Sequence, residues 1–167
     1  MIYFDYNATT PLCGQALAAM GDFVRTPGNA SSPHQWGQKV RVSLDEVRAD
    51  LCALVGAKRA DVVFTSGGTE GDHLAVHTWA RKGLREGRNR FVFAQMEHPA
   101  VHVAAEQLES AGLEVEYAKV KPDGQIDIES VNRWCDEKLA GVAVMLANNE
   151  TGVIQPVGEV AQLAKNC

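Results

Sequence analysis

Several short polar groups in this chain have residue types and spacings that could do chemistry. Ser66-Gly67-Gly68-Thr69 follows a β-favouring run, Val62-Val63-Phe64-Thr65, and leads into a stretch with helical spacing. A strand, a turn of small residues and a helix start together make an anion trap. The first helical amides have no intrahelical partners and stand at the positive end of the dipole. Glycines let the backbone approach a phosphate closely, and Ser66 and Thr69 add hydroxyls. The spacing fits neither G-x-x-x-x-G-K-[ST] nor G-x-G-x-x-G, and Ser-Gly-Gly-Thr by itself equally suits an ordinary turn. Glu97-His98 offers an imidazole for proton transfer, or simply a solvated loop histidine. Asn148-Asn149-Glu150 offers amide donors, or a turn cap. His73 and His77 are four apart, as are His98 and His102, a spacing that can hold zinc. Neither pair lies in His-Glu-x-x-His and no third ligand is evident, so no metal site is expected.

The elements that must position these groups are legible from periodicity. Met1 to Tyr6 reads as a short strand, Thr10 as a helix cap with Pro11 in the first turn, and that helix as running to about Val24. A breaker-rich loop, 26–33, precedes a long helix from about His34 to Val55, with Val40, Leu44, Val47, Leu51 and Leu54 as its apolar stripe. The run 62–65 reads as a buried strand, followed by a helix from Thr69 that stops near Gly87. Strands are expected at 90–95, at 113–117 (half exposed) and at 141–147 (buried on both faces). Helices are expected from Pro99 to Gly112, from Ile128 to about Lys138, and from Val157 to Cys167.

This alternation implies an α/β fold, a mostly parallel sheet with helices on both faces. Ligands of such sheets bind beyond the carboxyl ends of the strands. Those ends carry Ser66 to Thr69, Glu97-His98 and Asn148 to Glu150, so topology alone gathers three polar groups at one edge. A small-molecule phosphate site follows.

Length and composition set the outer bounds. The 167 residues, 46% hydrophobic and 22% charged, suit one soluble globular domain. A formal net charge of −5 with scattered basic residues argues against nucleic-acid or membrane partners. No apolar run approaches a membrane span, and no signal-peptide pattern opens the chain. Cys13, Cys52, Cys135 and Cys167 are widely spaced, which favours a reducing cytoplasm over a disulfide framework. The chain stops on a helix where a further strand would complete the sheet.

Phe4-Asp5-Tyr6-Asn7-Ala8-Thr9-Thr10-Pro11, Phe64 to Glu70, Glu97-His98 and Asn148-Asn149-Glu150-Thr151-Gly152 occur in this order at suitable intervals. Together they resemble the cysteine desulfurases, class V aminotransferase-like, fold-type I pyridoxal-phosphate enzymes. The set spans nearly the whole chain but covers only the first part of the family's length. The resemblance implies pyridoxal 5′-phosphate as cofactor, with Gly68 and Thr69 on its phosphate, His98 stacked on its ring as the catalytic histidine, and Asn149 at its phenolic oxygen. It further implies that Asn7, Ala8 and Thr9 line the substrate entrance. Residues 1–15 would form that entrance segment, and 16–167 the first part of the cofactor-binding large domain, with an incomplete sheet. The family converts L-cysteine to alanine and passes sulfur to an enzyme cysteine as a persulfide, supplying iron–sulfur cluster assembly through an acceptor or scaffold protein. Its members are homodimers with sites near the interface.

Departures are visible beside the likeness. Gly71 and His73 stand where the family more often has a small polar residue and an asparagine, and Pro33 is displaced in the loop carrying Asn29 and His34. The Schiff-base lysine, the aspartate at the pyridine nitrogen, the carboxylate-binding arginine and the persulfide cysteine are not recognisable. Lys165 and Cys167 lie in the wrong context for those roles. The chain alone is therefore expected to be inactive. Other readings are a selenocysteine lyase, a kynureninase-like enzyme, an aminotransferase, or a truncated non-catalytic binding domain.

Overall fold

The computed structural model describes residues 2–56 and 62–167. These divide into two units, one up to Phe64 and one from Thr65 onward. The first unit contains helices α1 (Gly14–Val24) and α2 (Gln35–Leu54). The second contains α3 (Gly68–Arg85), β1 (Arg90–Ala94), α4 (Pro99–Ser110), β2 (Glu114–Ala118), α5 (Ile128–Asn132), β3 (Leu139–Ala143) and α6 (Val157–Lys165).

The strands form a parallel sheet in the order β2-β1-β3. The central strand has the sequence Arg90-Phe-Val-Phe-Ala94, apolar at every position after the first, so both of its faces must be covered. They are. Phe91 and Phe93 pack with Val76 and Ala80 of α3 and with Val101, Ala104, Ala105 and Leu108 of α4. Val92 and Ala94 pack on the opposite face with Ile126, Val131 and Val160, which brings in α5 and α6. Each fully buried phenylalanine contributes about 1.5–3 kcal/mol relative to exposure. The α/β sheet with helices on both faces is thus the architecture found.

Arg90 closes the amino end of the sheet. Its guanidinium pairs with Glu114 of β2 at 2.8 Å and with Asp136 ahead of β3, and lies 5.4 Å from the Trp134 ring centroid. One planar cation with several donors thereby ties the lower ends of all three strands.

Helix α3 lies close on β3 because the meeting positions are small. A Cβ on Gly83 would stand 2.6 Å from Ala140 Cβ and 3.0 Å from Arg88 O, and one on Gly141 would meet the Trp79 ring at 3.3 Å.

Several expectations need correction. Residues 2–6 form no strand and end in a turn, with Ala8 N–H donating to Asp5 O at 3.2 Å; Met1 lies outside the described residues. Residues 62–65 are not a buried strand either: Val63 is 61% exposed and Phe64 47% exposed. Among the described residues no strand pairs with them, and an extended segment without a neighbour cannot satisfy its main chain as a ladder. The first helix starts at Gly14 behind Cys13, not at Thr10-Pro11. The third begins at Gly68, one residue earlier than expected. Helix α5 ends at Asn132, well short of Lys138. Strand β3 covers 139–143 rather than 141–147 and is half-buried through its middle, because it is an edge strand here.

Gly83→Ala tests the α3–β3 approach. The gain in helix propensity is about 1 kcal/mol, against an overpacking cost of about 1–3 kcal/mol. A net loss of stability is expected in urea unfolding; an unchanged or higher midpoint would show that α3 can withdraw freely.

Candidate active site

The connections of the sheet fix where a ligand can sit. Strand β1 leads through α4 on one face to β2, while β2 leads through α5 on the other face to β3. The chain leaving β1 enters α4 on the Phe91–Phe93 face and the chain leaving β3 enters α6 on the Val92 face, so a crevice opens between their carboxyl ends. A cavity of about 310 Å³ lies there, lined by Glu97, His98 and Met145 just beyond the strand ends, by Val101 of α4 and by Asp72 and Trp79 of α3.

His98 is the N-cap of α4, with Pro99 next in the chain. Its Nδ1 accepts from Ala100 N–H at 3.1 Å, so in the neutral ring the proton is on Nε2. Among the described residues Nε2 has no hydrogen-bond partner, and the ring is exposed at the cavity. The capping bond thus holds an imidazole with one nitrogen anchored and one open.

Glu97 is half-buried beside it. Burial pushes its carboxyl above the ordinary value, and the facing Asp72 adds to this; the backbone amides of Met145 and His98 and the nearby His102 act the other way, without cancelling it. Two carboxyls thus share the cavity with Trp79, Val101 and Met145.

After β3 the chain makes a built hairpin. Ala147 bridges Ile154, Asn148 N–H donates to Val153 O at 3.0 Å, and Gly152, with φ +72, closes the turn by donating to Asn148 O at 2.8 Å. Asn148 Oδ1 accepts from the amides of Glu150 and Thr151, and its Nδ2 donates to Met96 O at 3.3 Å. The loop after β3 is thereby tied to the loop after β1, two residues before His98. Asn149 is exposed at the tip of this hairpin.

Gly68 and Thr69 open α3, behind the N-cap Gly67. A Cβ on Gly67 or Gly68 would meet nothing within 4 Å, so the approach to these amides is open. Among the described residues the N–H groups of Gly68 and Thr69 have no acceptor. Ser66 is not free to help: its hydroxyl and amide both donate to Glu70 at 2.7 Å, which holds that carboxyl below its ordinary value. Thr69 stands three residues before Asp72, one turn up the helix that lines the cavity.

His98 alone among the expected residues lines the cavity; Gly68, Thr69 and Asn149 occupy neighbouring chain segments at the same end of the sheet. Asn7, Ala8 and Thr9 lie in the first unit, exposed in and just after the turn that Tyr3 braces by donating to Asp5 O at 2.9 Å and to Thr9 O at 3.3 Å. Asn29 and His34 do local work there: Asn29 accepts from Ser31 N–H, and His34 caps α2 by accepting from Gly37 N–H. The other histidines are used in packing. His77 bonds Gln107 at 2.9 Å, the His73 and His77 rings lie 6.0 Å apart, and the His102 ring lies 5.9 Å from Tyr117 at a tilt of 34°. Among the described residues no group of three or more His, Cys, Asp or Glu side chains could hold a metal, and no helix is long and apolar enough to cross a membrane.

Asp72 escaped the sequence reading, and Trp79 reads there only as an apolar position of the helix. Both follow Thr69 at helical spacing, so their shared face was available from periodicity; what they face was not.

Glu97 should leave a signature in stability. A carboxyl whose folded-state pKa lies above its unfolded value holds its proton more tightly in the native state. Stability therefore falls as pH rises from the ordinary carboxylate value through the raised one. Chemical denaturation across that window should show this slope in the wild type and its reduction in Glu97→Gln; equal slopes would place the burden elsewhere.

Comparison with known proteins gives the family and the fold. The family profile described as "Aminotransferase class-V" matches residues 2–167. Cysteine desulfurase IscS of Rickettsia bellii is 37% identical over 166 residues, 98% of this chain and 40% of the relative. Putative cysteine desulfurase IscS 1 of Bacillus subtilis is 38% identical over 167 residues, 98% of this chain and 43% of the relative. Among solved structures, a NifS-like protein superposes with a TM-score of 0.92 at 31% identity, covering 99% of this chain and 45% of that one. DndA from Streptomyces lividans gives 0.80 at 34% identity, covering 96% and 45%. The chain thus spans less than half the length of the relatives it matches. Its match from residue 2 to residue 167 makes it a member of the aminotransferase class-V family.

Proposed function

We propose that this chain is the N-terminal portion of a cysteine desulfurase, which with its remaining parts converts L-cysteine to alanine and passes the sulfur on as a persulfide. The observation that carries the reading is the bond from Asn148 Nδ2 to Met96 O, which ties the Asn148–Gly152 hairpin to the loop that carries His98 into the cavity, at the end of the sheet where α3 begins. The relatives named cysteine desulfurase, and a neighbour described as SspA in complex with cysteine (TM-score 0.89, 28% identity), support the substrate class.

The residues present fit pyridoxal 5′-phosphate. Unpartnered amides at Gly68 and Thr69 suit a dianionic ester, with the Thr69 hydroxyl as a further donor. The open imidazole of His98 offers a flat face for an aromatic ring, and Nε2 as the atom that holds or releases a proton. Asn149 supplies an amide donor for the ring's phenolic oxygen. When bound, the cofactor supplies the electron sink for bond breaking next to the substrate's amino group. Asn7, Ala8 and Thr9, in the segment 1–15, line the substrate entrance, and 16–167 forms the first part of the cofactor domain. Open apolar side chains, Phe4 at 87% and Leu54 at 81% exposure among them, suit association into a homodimer. A cytoplasmic setting, delivery to iron–sulfur cluster assembly and a sulfur-acceptor protein complete the reading.

The lysine that would bond the cofactor and the cysteine that would take the sulfur belong to parts beyond this chain. Incubated with L-cysteine and pyridoxal 5′-phosphate, the pure chain should release no alanine. It should still bind pyridoxine 5′-phosphate, which keeps the ring and phosphate but lacks the amine-reactive aldehyde. Thr69→Ala and Asn149→Ala should each weaken that binding about ten-fold by calorimetry. Turnover by the chain alone, or affinities indifferent to both substitutions, would overturn the proposal.

A further inference from the structure

Gln155 is buried, at 3% exposure, and every polar atom of it is used. Its Oε1 accepts from Ile126 N–H at 2.8 Å, and its Nε2 donates to Gly124 O at 2.9 Å. Its own N–H donates to Leu146 O at 2.8 Å, and its carbonyl accepts from Val157 N–H at 2.8 Å. One residue thus joins the turn before α5, the chain leaving β3 and the start of α6.

Leu146 and Gln155 are the root of the hairpin whose tip is Asn149. Above them come the Ala147–Ile154 bridge and the Asn148–Val153 bond. Val153 leans on the turn at Gly124, where an added Cβ would come within 3.0 Å of its Cγ2. Ile126 is wholly buried in the core on the Val92 face of the sheet. A continuous path therefore runs from that core through Ile126 and the Gln155 amide to the hairpin. From the other side Asn148 reaches Met96 O, beside the His98 turn. An exposed tip takes its position from its stem, and the Gln155 amide holds this stem by two bonds of 2.8 and 2.9 Å, beside a longer one of 3.4 Å from Gln125 Nε2 to Ile154 O.

We propose that Gln155 is a positioning residue: it sets the Asn148–Gly152 hairpin so that Asn149 is preorganised over the crevice beside His98. This rests on the reading of Asn149 as a cofactor contact. Preorganisation lowers the ordering cost of binding, so the role shows as affinity that is gained only while Asn149 is present.

A double-mutant cycle on the whole chain, with pyridoxine 5′-phosphate as the probe, tests it. Gln155→Met, similar in size but without the amide, should weaken binding about ten-fold in the wild-type background and less than about two-fold when Asn149 is already alanine. Equal losses in both backgrounds would mean a general effect on the fold and would overturn the proposal. Hydrogen exchange gives a separate readout. Gln155→Met should speed exchange at Asn148 and Gly152 while leaving Val92 and Phe93 unchanged; no change, or a uniform rise, would overturn it. If Gln155→Met does not fold, the unsubstituted chain still decides, because Ile126, Asn148 and Gly152 should share one opening free energy, and separate values would sink the idea. Should Asn149→Ala itself leave affinity unaltered, the cofactor reading of Asn149 fails, and the exchange data alone judge the hold of Gln155 on the hairpin.

Discussion

Burial of β1 on both faces is the constraint from which the rest of the second unit follows. A five-residue strand with large apolar side chains pointing both ways cannot rest at a surface. It demands helices above and below, and the chain supplies α3 and α4 for the Phe91–Phe93 face and α5 and α6 for the Val92–Ala94 face. Parallel neighbours on either side then require long crossovers, and their right-handedness sends the connection from β1 and the connection into β3 to opposite faces. The crevice is a consequence of that routing rather than of any residue that lines it.

What the crevice holds is set by side chains whose first duty is structural. His98 caps a helix, and in doing so leaves a single nitrogen open. Asn148 makes an Asx turn, and its remaining amide hydrogen bonds join two loops from different strands. Glu97 is drawn into the same space, where burial and the facing Asp72 keep its carboxyl tenacious of its proton. Local capping chemistry of this kind is inexpensive in stability and rigid in direction, which is what a binding edge needs.

The first unit stands apart in this respect. Among its described residues only Gly37 is buried, and its apolar side chains, from Ile2 to Val55, remain largely open. Its helices carry amphipathic stripes without an internal core to receive them. The polar turn around Asn7 is held by its own backbone and by Tyr3.

Local sequence determined a good deal. The helix α4 between Pro99 and Gly112, the strands around Phe91 and Val115 and the parallel α/β order all follow from periodicity and breakers, which act over a few residues. The order of elements likewise put Glu97-His98 and the loop from Asn148 after the carboxyl ends of two strands, where the chain leaving β1 and the chain leaving β3 are found. Misreadings fell where the outcome depends on a partner far away in sequence. Among the described residues, Val62 to Thr65 has the composition of a strand but no neighbour to pair with, and β3 has the composition of a doubly covered strand but an open edge. Asp72, Trp79 and Gln155 carry no local mark of what they touch. Their roles were decided only by the tertiary structure, since burial and hydrogen-bond partnership are properties of two segments meeting, and a single stretch of sequence holds only one of them.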